Sequence, residues 1–251
     1  MIIDYPRYYH MRYLVELWYE AFADSDDYIR NFFTKGYAWY NSCTIRENDL
    51  PVAALYWFDC HWQGKTLAYV YGVATAKSHR GQGLCHQLME GLNYHLQKRY
   101  YDGVVLVPAK PELFGLYEGM GYRPFGGMDS RHFLPAETPV PLKQLTWQEY
   151  DDARQAYLTE DCVRHGPLMM HYLGTFAQFY EGPDFITCVC VEDGKVTGYE
   201  LLGNADAAPG ILKALGAREG TFRFRGETPF AMYRSFKDDD QMPGYFAFAL
   251  D

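Results

Sequence analysis

The stretch 78-SHRGQGLCHQLMEGL-92 joins a β-rich run to a long amphipathic segment. Gly81 and Gly83 stand where the backbone must turn tightly or let another group approach closely. The segment after them is predicted to be a helix because leucines recur every four residues on one face, at Leu84, Leu88, Leu92 and Leu96. Free N–H groups at a helix N-terminus attract anions, and Arg80 adds positive charge, so this loop is a candidate anion site.

Two common phosphate loops do not fit this stretch. A P-loop requires Lys followed by Ser or Thr after its last glycine, whereas Leu84 and Cys85 follow here. A dinucleotide-binding loop requires a third glycine, and His86 occupies that position. From the spacing alone, an ordinary glycine turn between a strand and a helix remains an alternative.

The elements before the loop are predicted from apolar spacing and turn residues. Helical spacing covers Tyr8 to Phe22, and Ser25 is a candidate N-cap for a second helix. Residues 42–62 are typical of two strands joined by a turn at Asn48-Asp49. The run from Thr66 to Ala76 is a third strand, and it ends just before the loop.

The elements after the loop complete a compact pattern. A short buried strand is predicted at Val104 to Pro108, and a helix begins near Pro111 and ends near Gly119 and Gly121. The segments 121-GYRPF-125 and 131-RHFL-134 indicate a final hairpin. The whole order is strand, two helices, three strands, loop, helix, strand, helix and two strands.

The loop pattern Arg80-x-x-Gly83-x-Cys85 resembles the acetyl-CoA loop of the GNAT acyltransferases, which is Gln/Arg-x-x-Gly-x-Gly/Ala. Cys85 departs from the last position but is still a small residue. The element order over residues 1–134 resembles the GNAT core from end to end. The stretches 72-GVATAKSHRGQG-83 and 22-FADSDDYIRNFF-33 are similar to the Eis-like branch, whose members carry tandem GNAT domains.

The resemblance implies an α+β fold with a mixed sheet, acetyl-CoA as cosubstrate and transfer of an acetyl group to a primary amine. It implies that the pantetheine arm of CoA contacts Val73, Ala74 and Thr75. The pyrophosphate contacts fall on six consecutive residues: Arg80, Gly81, Gln82, Gly83, Leu84 and Cys85. The stretch 116-LYEGMGYRP-124 resembles a second signature of the family, in which a tyrosine faces the thioester sulfur, and the match is Tyr117 as catalytic acid. A core tyrosine is the alternative, because Tyr117 also lies on an apolar stripe.

The general base is not evident from the sequence. The strand at residues 67–76 carries neither Asp nor Glu. The candidates are Asp59 and His61 on the preceding strand, and three acids near the expected acceptor side: Asp24, Asp26 and Asp27. In Eis-type enzymes the C-terminal carboxylate enters the active site, and the run ending 245-YFAFALD-251 resembles a strand that docks in this way.

A proline-rich linker at residues 135–141 predicts a boundary between a catalytic domain, 1–134, and a second domain, 142–251. Helices are expected at Trp147–Cys162 and Met169–Tyr180, followed by a hairpin at 185–203. The runs that begin at Pro111 and Pro209 form a faint repeat, which aligns Tyr117 with Leu215. Only "NADAA" separates Gly203 from Pro209. The second domain is therefore interpreted as a shortened GNAT-like copy without a CoA loop that walls the acceptor site.

Bulk composition limits the partners of the chain. The net charge of −9 argues against general nucleic-acid binding, and no apolar run approaches the roughly 20 residues of a membrane span. The N-terminus has no signal-peptide layout and the six cysteines show no metal-ligand spacing, so we expect a cytoplasmic protein with reduced thiols and no metal. The acceptor is expected to be an amine of a small molecule or a peptide. The sequence leaves open whether the chain forms a homo-oligomer.

Three functions compete at this point. The leading hypothesis is an acetyl-CoA-dependent N-acetyltransferase, favoured by the matches at Arg80, Gly83 and Tyr117. The second is a CoA-binding regulatory or sensor module with weak or no catalysis. The third is a binding protein that uses no CoA, in which the glycines only shape a turn.

Overall fold

The computed structural model describes residues 2–159, 161–237, 239–246 and 248–250. Its helices are α1 (Met11–Phe22), α2 (Asp26–Asn31), α3 (Leu84–Lys98), α4 (Phe114–Glu118), α5 (Trp147–Arg154), α6 (Pro167–Leu173) and α7 (Ala208–Ala214). Its strands are β1 (Ile2–Asp4), β2 (Ser42–Glu47), β3 (Leu50–Trp62), β4 (Lys65–Thr75), β5 (Gly103–Leu106), β6 (Arg123–Phe133), β7 (Lys143–Leu145), β8 (Cys162–His165), β9 (Gln178–Glu181), β10 (Phe185–Glu192), β11 (Lys195–Gly203), β12 (Glu219–Ser235) and β13 (Tyr245–Phe246). The chain divides into two compact units, Met1–Arg123 with Met232–Gln241, and Pro124–Ala231 with Met242–Asp251.

The first unit is built on a sheet in the order β1-β2-β3-β4-β5, followed by Met232–Ser235 of β12. Neighbouring strands are antiparallel except β4 and β5, which are parallel and are joined through α3. The helix predicted from the leucine row is confirmed. All four of its leucines, Leu84, Leu88, Leu92 and Leu96, are at most 1% exposed in the core.

Two local predictions in the first unit are confirmed by backbone geometry. Asn48 and Asp49 have φ angles of 49° and 64°, and this left-handed pair makes the tight turn between β2 and β3. Ser25 caps α2, since its Oγ accepts a hydrogen bond of 3.2 Å from the N–H of Tyr28. The helix then continues through Gly36 as a wider π-helical turn.

The predicted hairpin between residues 121 and 134 is wrong, because this segment is the single strand β6. Gly126 has a φ angle of 61°, and a Cβ added to Gly127 would collide with the backbone of Gly226 in β12. Glycine in a strand interior marks a bulge or a close backbone approach. The two glycines therefore allow β6 to lie against β12, and they do not form a turn.

The division between the units falls at Arg123 and differs from the sequence-based boundary at residue 134. Because β6 pairs with β12, residues 124–133 belong to the second unit. The proline-rich linker is also attached to that unit. The N–H of Ala136 donates to the carbonyl of Pro209 at 3.0 Å, and that of Val140 to Gly210 at 3.3 Å.

The second unit contains a sheet in the order β7-β9-β10-β11-β12. The predicted hairpin at 185–203 is confirmed, with its turn at Asp193 and Gly194, whose φ angles are 49° and 73°. The two helices predicted before it are shorter than expected. Helix α5 ends at Arg154 and α6 at Leu173. The end of the first predicted helix, Cys162, is the first residue of β8, and the end of the second overlaps the start of β9 at Gln178.

The second unit repeats the topology of the first. Three antiparallel pairs are followed by one parallel pair, as in β1-β2-β3-β4-β5. In the first unit the parallel pairing of β4 with β5 ends at Val70, and the extra residue of β4 follows at Gly72–Val73. In the second unit the parallel pairing of β11 with β12 ends at Gly198, and the extra residue Tyr199 follows. The second unit therefore parallels the first in strand order, and its interpretation as a shortened GNAT-like copy stays a prediction. By connection, α7 corresponds to α3, and not to α4 as the alignment of prolines suggested.

A buried polar cluster holds the second unit together. The Glu200 carboxylate accepts two hydrogen bonds from Arg154, at 2.9 and 3.1 Å, and others from the hydroxyls of Tyr150 and Tyr245 at 2.9 and 3.4 Å. Arg154 is 1% exposed and Glu200 is fully buried. Burial alone would lower the pKa of Arg154, but the adjacent Glu200 outweighs it and raises that pKa. Arg154 is therefore a buried cation held mainly by Glu200, with Asp151 at 3.4 Å as a second, less buried carboxylate.

We expect Glu200→Ala to lower the free energy of unfolding by about 3–5 kcal/mol, because it removes the buried carboxylate that binds Arg154 twice and leaves only Asp151, at 3.4 Å, beside the buried charge. The matched control is Glu219→Ala, which breaks an exposed pair with Lys195 at 2.8 Å and should cost less than about 1 kcal/mol. Denaturant unfolding of the three proteins measures both values. Equal losses for the two variants would contradict the structural importance of the buried cluster.

Candidate active site

The candidate site is centred on a bulge in β4. Ala54 pairs with Ala74 and Tyr56 with Tyr71, so Gly72 and Val73 lie opposite a single residue of β3. Gly72 has a φ angle of 62°, and a Cβ added to it would lie 2.8 Å from the Trp18 ring. Glycine is thus required both by the backbone conformation and by the indole of Trp18 packed on it.

The bulge leaves one edge of β4 open. The parallel register of β4 with β5 ends at the pair Val70 and Leu106, whereas β4 continues to Thr75. The N–H of Ala76 donates to the carbonyl of Val52 in β3 at 2.9 Å. Because backbone groups alternate in direction along a strand, those of Val73 and Thr75 point away from β3, toward the open edge. By the same alternation, the backbone of Ala74 points toward β3.

The loop after β4 depends on two left-handed glycines. Gly81 and Gly83 have φ angles of 76° and 74°, and a Cβ added to either meets no atom within 4 Å. Both glycines are therefore required by the turn and not by crowding. Gln82 bonds within the loop, to the carbonyl of Ser78 at 3.4 Å. Arg80 reaches back to the strand, and its Nε donates to the carbonyl of Thr75 at 3.1 Å.

The N-terminus of α3 presents uncapped backbone amides. Gly83 is the N-cap residue, and no side chain of the described residues caps this end of the helix. By contrast, α2 and α5 are capped by the hydroxyls of Ser25 and Thr146. Because four N–H groups at a helix start lack partners within the helix, this end of α3 can accept an anion. Leu84 contributes only its backbone here, since its side chain lies in the core.

Tyr117 lies in the same core cluster as Leu84, and Val73 and Cys85 pack against that cluster. Its side chain is 7% exposed, and burial, with a smaller effect from the Cys85 thiol, raises its pKa. The Tyr117 hydroxyl has no hydrogen-bond partner among the described residues, and it keeps some exposure to solvent. The phenol therefore stays protonated at neutral pH and retains a proton to donate.

The structure thus brings together residues that are far apart in the sequence. The open edge at Val73 and Thr75, the loop at Arg80 to Gly83 and the buried Tyr117 surround the start of α3. This arrangement can hold an anion at one end and an extended chain along a strand edge, with a neutral acid close by.

Several acids considered as bases are engaged elsewhere. Asp59 accepts hydrogen bonds from Tyr101 at 2.6 Å and Asn41 at 3.3 Å. It pairs with Ala68, about 17 Å along β4 from Val73 at ~3.4 Å per residue. His61 lies farther still, opposite Thr66, so neither is placed to act at the bulge.

The other candidates are near the N-terminal helices. Asp24 accepts a hydrogen bond of 2.8 Å from Trp18 Nε1, and Asp27 pairs with Arg30 at 3.2 Å. Asp26 is exposed in the first turn of α2, where the helix dipole favours an acid. The C-terminal carboxylate of Asp251 lies outside the described residues.

The sequence analysis missed a pair of tyrosine hydroxyls beside the bulge. The hydroxyls of Tyr28 and Tyr71 are 2.7 Å apart, and both side chains are half-buried. Tyr69 and Tyr71 alternate with Ala68 and Val70 along β4, and this period of two already placed both tyrosines on one face. The partner Tyr28 could not be found, because nothing in the sequence specifies how α2 packs on the sheet.

Two further features concern the described residues as a whole. No group of three or more His, Cys, Asp or Glu side chains is arranged to hold a metal ion. None of the helices in that part of the chain is both long and apolar enough to cross a membrane.

Comparison with known proteins identifies the fold. A family model described as an acetyltransferase (GNAT) domain matches residues 6–125. The structure of a GCN5-related N-acetyltransferase from Kribbella flavida aligns with a TM-score of 0.67 and 17% identity over 93% of this chain and 70% of its own. One from Anabaena variabilis aligns with a TM-score of 0.73 and 14% identity over 94% and 73%.

Eis1 from Mycobacterium abscessus has the same fold. It aligns with a TM-score of 0.64 and 9% identity over 94% of this chain and 74% of its own, in keeping with the Eis-like resemblance of the sequence. No curated protein matches the sequence. The family match covers β4, the glycine loop, α3 and Tyr117, and the structural matches extend over the second unit. Residues 6–125 therefore match the acetyltransferase (GNAT) domain family, and the fold is that of the GNAT acetyltransferases.

Proposed function

We propose that the protein transfers the acetyl group of acetyl-CoA to a primary amine of a small molecule or peptide. The observation that carries this proposal is the open edge of β4 at Val73 and Thr75, which leads directly to the uncapped N-terminus of α3. Acetyl-CoA has the matching shape, with an extended amide-bearing arm attached to a pyrophosphate.

The pyrophosphate would lie on the amides of Gly81 to Cys85, with the positive end of α3 behind them. Arg80 adds a cation at the junction of loop and strand. The amides of the pantetheine arm would pair with the backbone of Val73 and Thr75. This pairing extends the sheet in the place that β5 leaves vacant beyond Leu106.

The reaction requires one bond to form and one to break. The neutral amine attacks the thioester carbon, a C–N bond forms, the C–S bond breaks and CoA leaves as a thiolate. Tyr117 donates its proton to that sulfur and regains one from solvent, while the amine nitrogen releases its proton to water. Backbone N–H groups at the bulge would stabilise the oxyanion.

One observation favours a second candidate, a CoA-binding regulatory module without turnover. Asp59 and His61 are remote from the bulge, so neither supplies a base there. Calorimetry with acetyl-CoA followed by a thiol-release assay over a panel of amines separates the two. We expect one acetyl-CoA site per chain and turnover of at least one amine; binding without turnover of any amine would favour the regulatory module.

We expect Gly83→Val to weaken acetyl-CoA binding at least about tenfold, because a side chain enters the space where the phosphate meets the helix amides. Gly64→Val is the matched control. Gly64 has a φ angle of 75° and also has open space around it, but it lies in the turn between β3 and β4. Both variants should lose roughly 1–2 kcal/mol of stability through the strained backbone, and only Gly83→Val should change the calorimetric Kd. An unchanged Kd for Gly83→Val would argue against the phosphate site.

We expect Tyr117→Phe to keep acetyl-CoA affinity and to reduce kcat by about 10²–10⁴, because only the proton donor is removed. Tyr122→Phe is the matched control. Its ring lies 5.9 Å from that of Tyr117 and its hydroxyl donates to Asn93 at 3.4 Å, so it should keep the wild-type kcat. If the two variants have equal kcat values while chemistry is rate-limiting, Tyr117 has a structural role and is not the acid.

The pH profile should follow the acceptor amine. A primary amine has a pKa near ~10, so kcat/KM should rise about tenfold per pH unit between about pH 7 and pH 9. Because burial raises the pKa of Tyr117, its acid form persists throughout that range. If kcat/KM, measured by thiol release, instead decreases as the pH is raised from about 7 to 9, the acid loses its proton in that range and is not this phenol.

A further inference from the structure

The face of β4 opposite α3 is covered by aromatic side chains of the N-terminal helices. Trp18 of α1 lies with its ring centroid 5.4 Å from that of Tyr71, and Phe32 lies 5.5 Å from the same ring. Trp18, Phe32 and Tyr56 of β3 are buried and form a floor. This floor reaches the bulge, since the Trp18 ring packs on Gly72.

Four half-buried rings lie over this floor, and we call them the aromatic layer: Tyr28, Phe33, Tyr37 and Tyr71. Phe33 lies 5.5 Å from Tyr37 and 5.8 Å from Trp18 between ring centroids, so layer and floor are in direct contact. The only polar groups that the layer adds are tyrosine hydroxyls, including the pair of Tyr28 and Tyr71. Because each ring keeps some exposed surface, a flat apolar group could pack against the layer and bury further area.

The carboxylates of α1 and of the turn to α2 are already engaged. Glu16 pairs with Arg12 at 3.0 Å, and Glu20 accepts a hydrogen bond from the N–H of Lys77. Asp24 is bound to the indole of Trp18. A polycationic acceptor needs a carboxylate for each of its extra charges. Asp26 is exposed on the first turn of α2, but Glu16, Glu20 and Asp24 would each have to give up a contact to bind a further charge.

From this arrangement we infer that the acceptor is a monoamine carried on an aromatic or similarly flat apolar group, bound against the aromatic layer with its nitrogen at the Tyr28–Tyr71 hydroxyl pair. The inference rests on the proposed function and narrows its substrate class. Tyr71 immediately precedes the bulge, so the ring that holds the amine starts from the backbone next to the strand edge assigned to the thioester arm. The hydroxyl oxygens accept hydrogen bonds from the amine N–H groups.

The first test compares two amines with the full-length protein at saturating acetyl-CoA. The probes are 2-phenylethylamine, which has a ring, and 1,4-diaminobutane, which has a second charge at similar reach. We expect kcat/KM, measured by thiol release, to favour 2-phenylethylamine by at least about tenfold. Preference for the diamine, or turnover of neither amine, would overturn the inference while calorimetric binding of acetyl-CoA leaves the cosubstrate site intact. Absence of acetyl-CoA binding would instead overturn the proposed function and this inference with it.

The second test removes one hydroxyl. Tyr71→Phe keeps the ring and should raise the KM for 2-phenylethylamine about tenfold without changing the Kd for acetyl-CoA. Tyr19→Phe is the matched control, because Tyr19 lies on the outer side of α1 and is 58% exposed. We expect its KM to equal that of the wild type. An unchanged KM in Tyr71→Phe would overturn the assignment of the amine to the hydroxyl pair.

Discussion

The packing of the Trp18 indole on the backbone of Gly72 is the contact on which the candidate active site depends. A Cβ at residue 72 would lie 2.8 Å from this ring, so the strand can pass there only as glycine. The positive φ angle of Gly72 bulges β4, and beyond the bulge β4 no longer runs beside β5. The bulge follows closely after the last parallel pair, Val70 and Leu106, so it lies where β4 continues without β5 beside it.

The second unit has the same strand order but differs from the first at its bulge and in the helix that follows. Its parallel pair also ends at a bulge, at Tyr199, but the next residue is Glu200, whose carboxylate is bound by Arg154. Helix α7 has 7 residues against 15 in α3, and no glycine loop precedes it. The ring of Phe248 lies 4.5 Å from the guanidinium carbon of Arg154, so this phenylalanine covers the ion pair. The second unit therefore shares the strand order of the first, and its buried ion pair makes a structural centre.

Much of the first unit could be predicted from local signals. The leucine row specifies α3, Ser25 specifies the start of α2, and Asn48-Asp49 specifies the turn between β2 and β3, because each signal acts over a few residues. The hairpin expected from residues 121–125 and 131–134 is instead one strand, and the glycines between these segments, Gly126 and Gly127, serve a close strand approach, which favours the same residue as a turn. Positions 81, 83 and 117 were found through a resemblance of motifs, and the structure places them around one helix end. The Tyr28–Tyr71 pair depends on how α2 packs on the sheet, and such long-range contacts leave no signal in a single sequence.

The strand that lies beside β5 is Met232–Ser235, from the far end of the chain. During synthesis β5 would emerge from the ribosome more than a hundred residues before this strand, and one edge of β5 would be unpaired until residue 232 has been made. Exposed strand edges promote misassembly, so the nascent chain has a prolonged period of risk. The same connection makes the two ends of the sequence interdependent. A terminal deletion reaching residue 232 would damage the unit that contains the candidate site, although more than a hundred residues separate Tyr117 from that strand in the sequence.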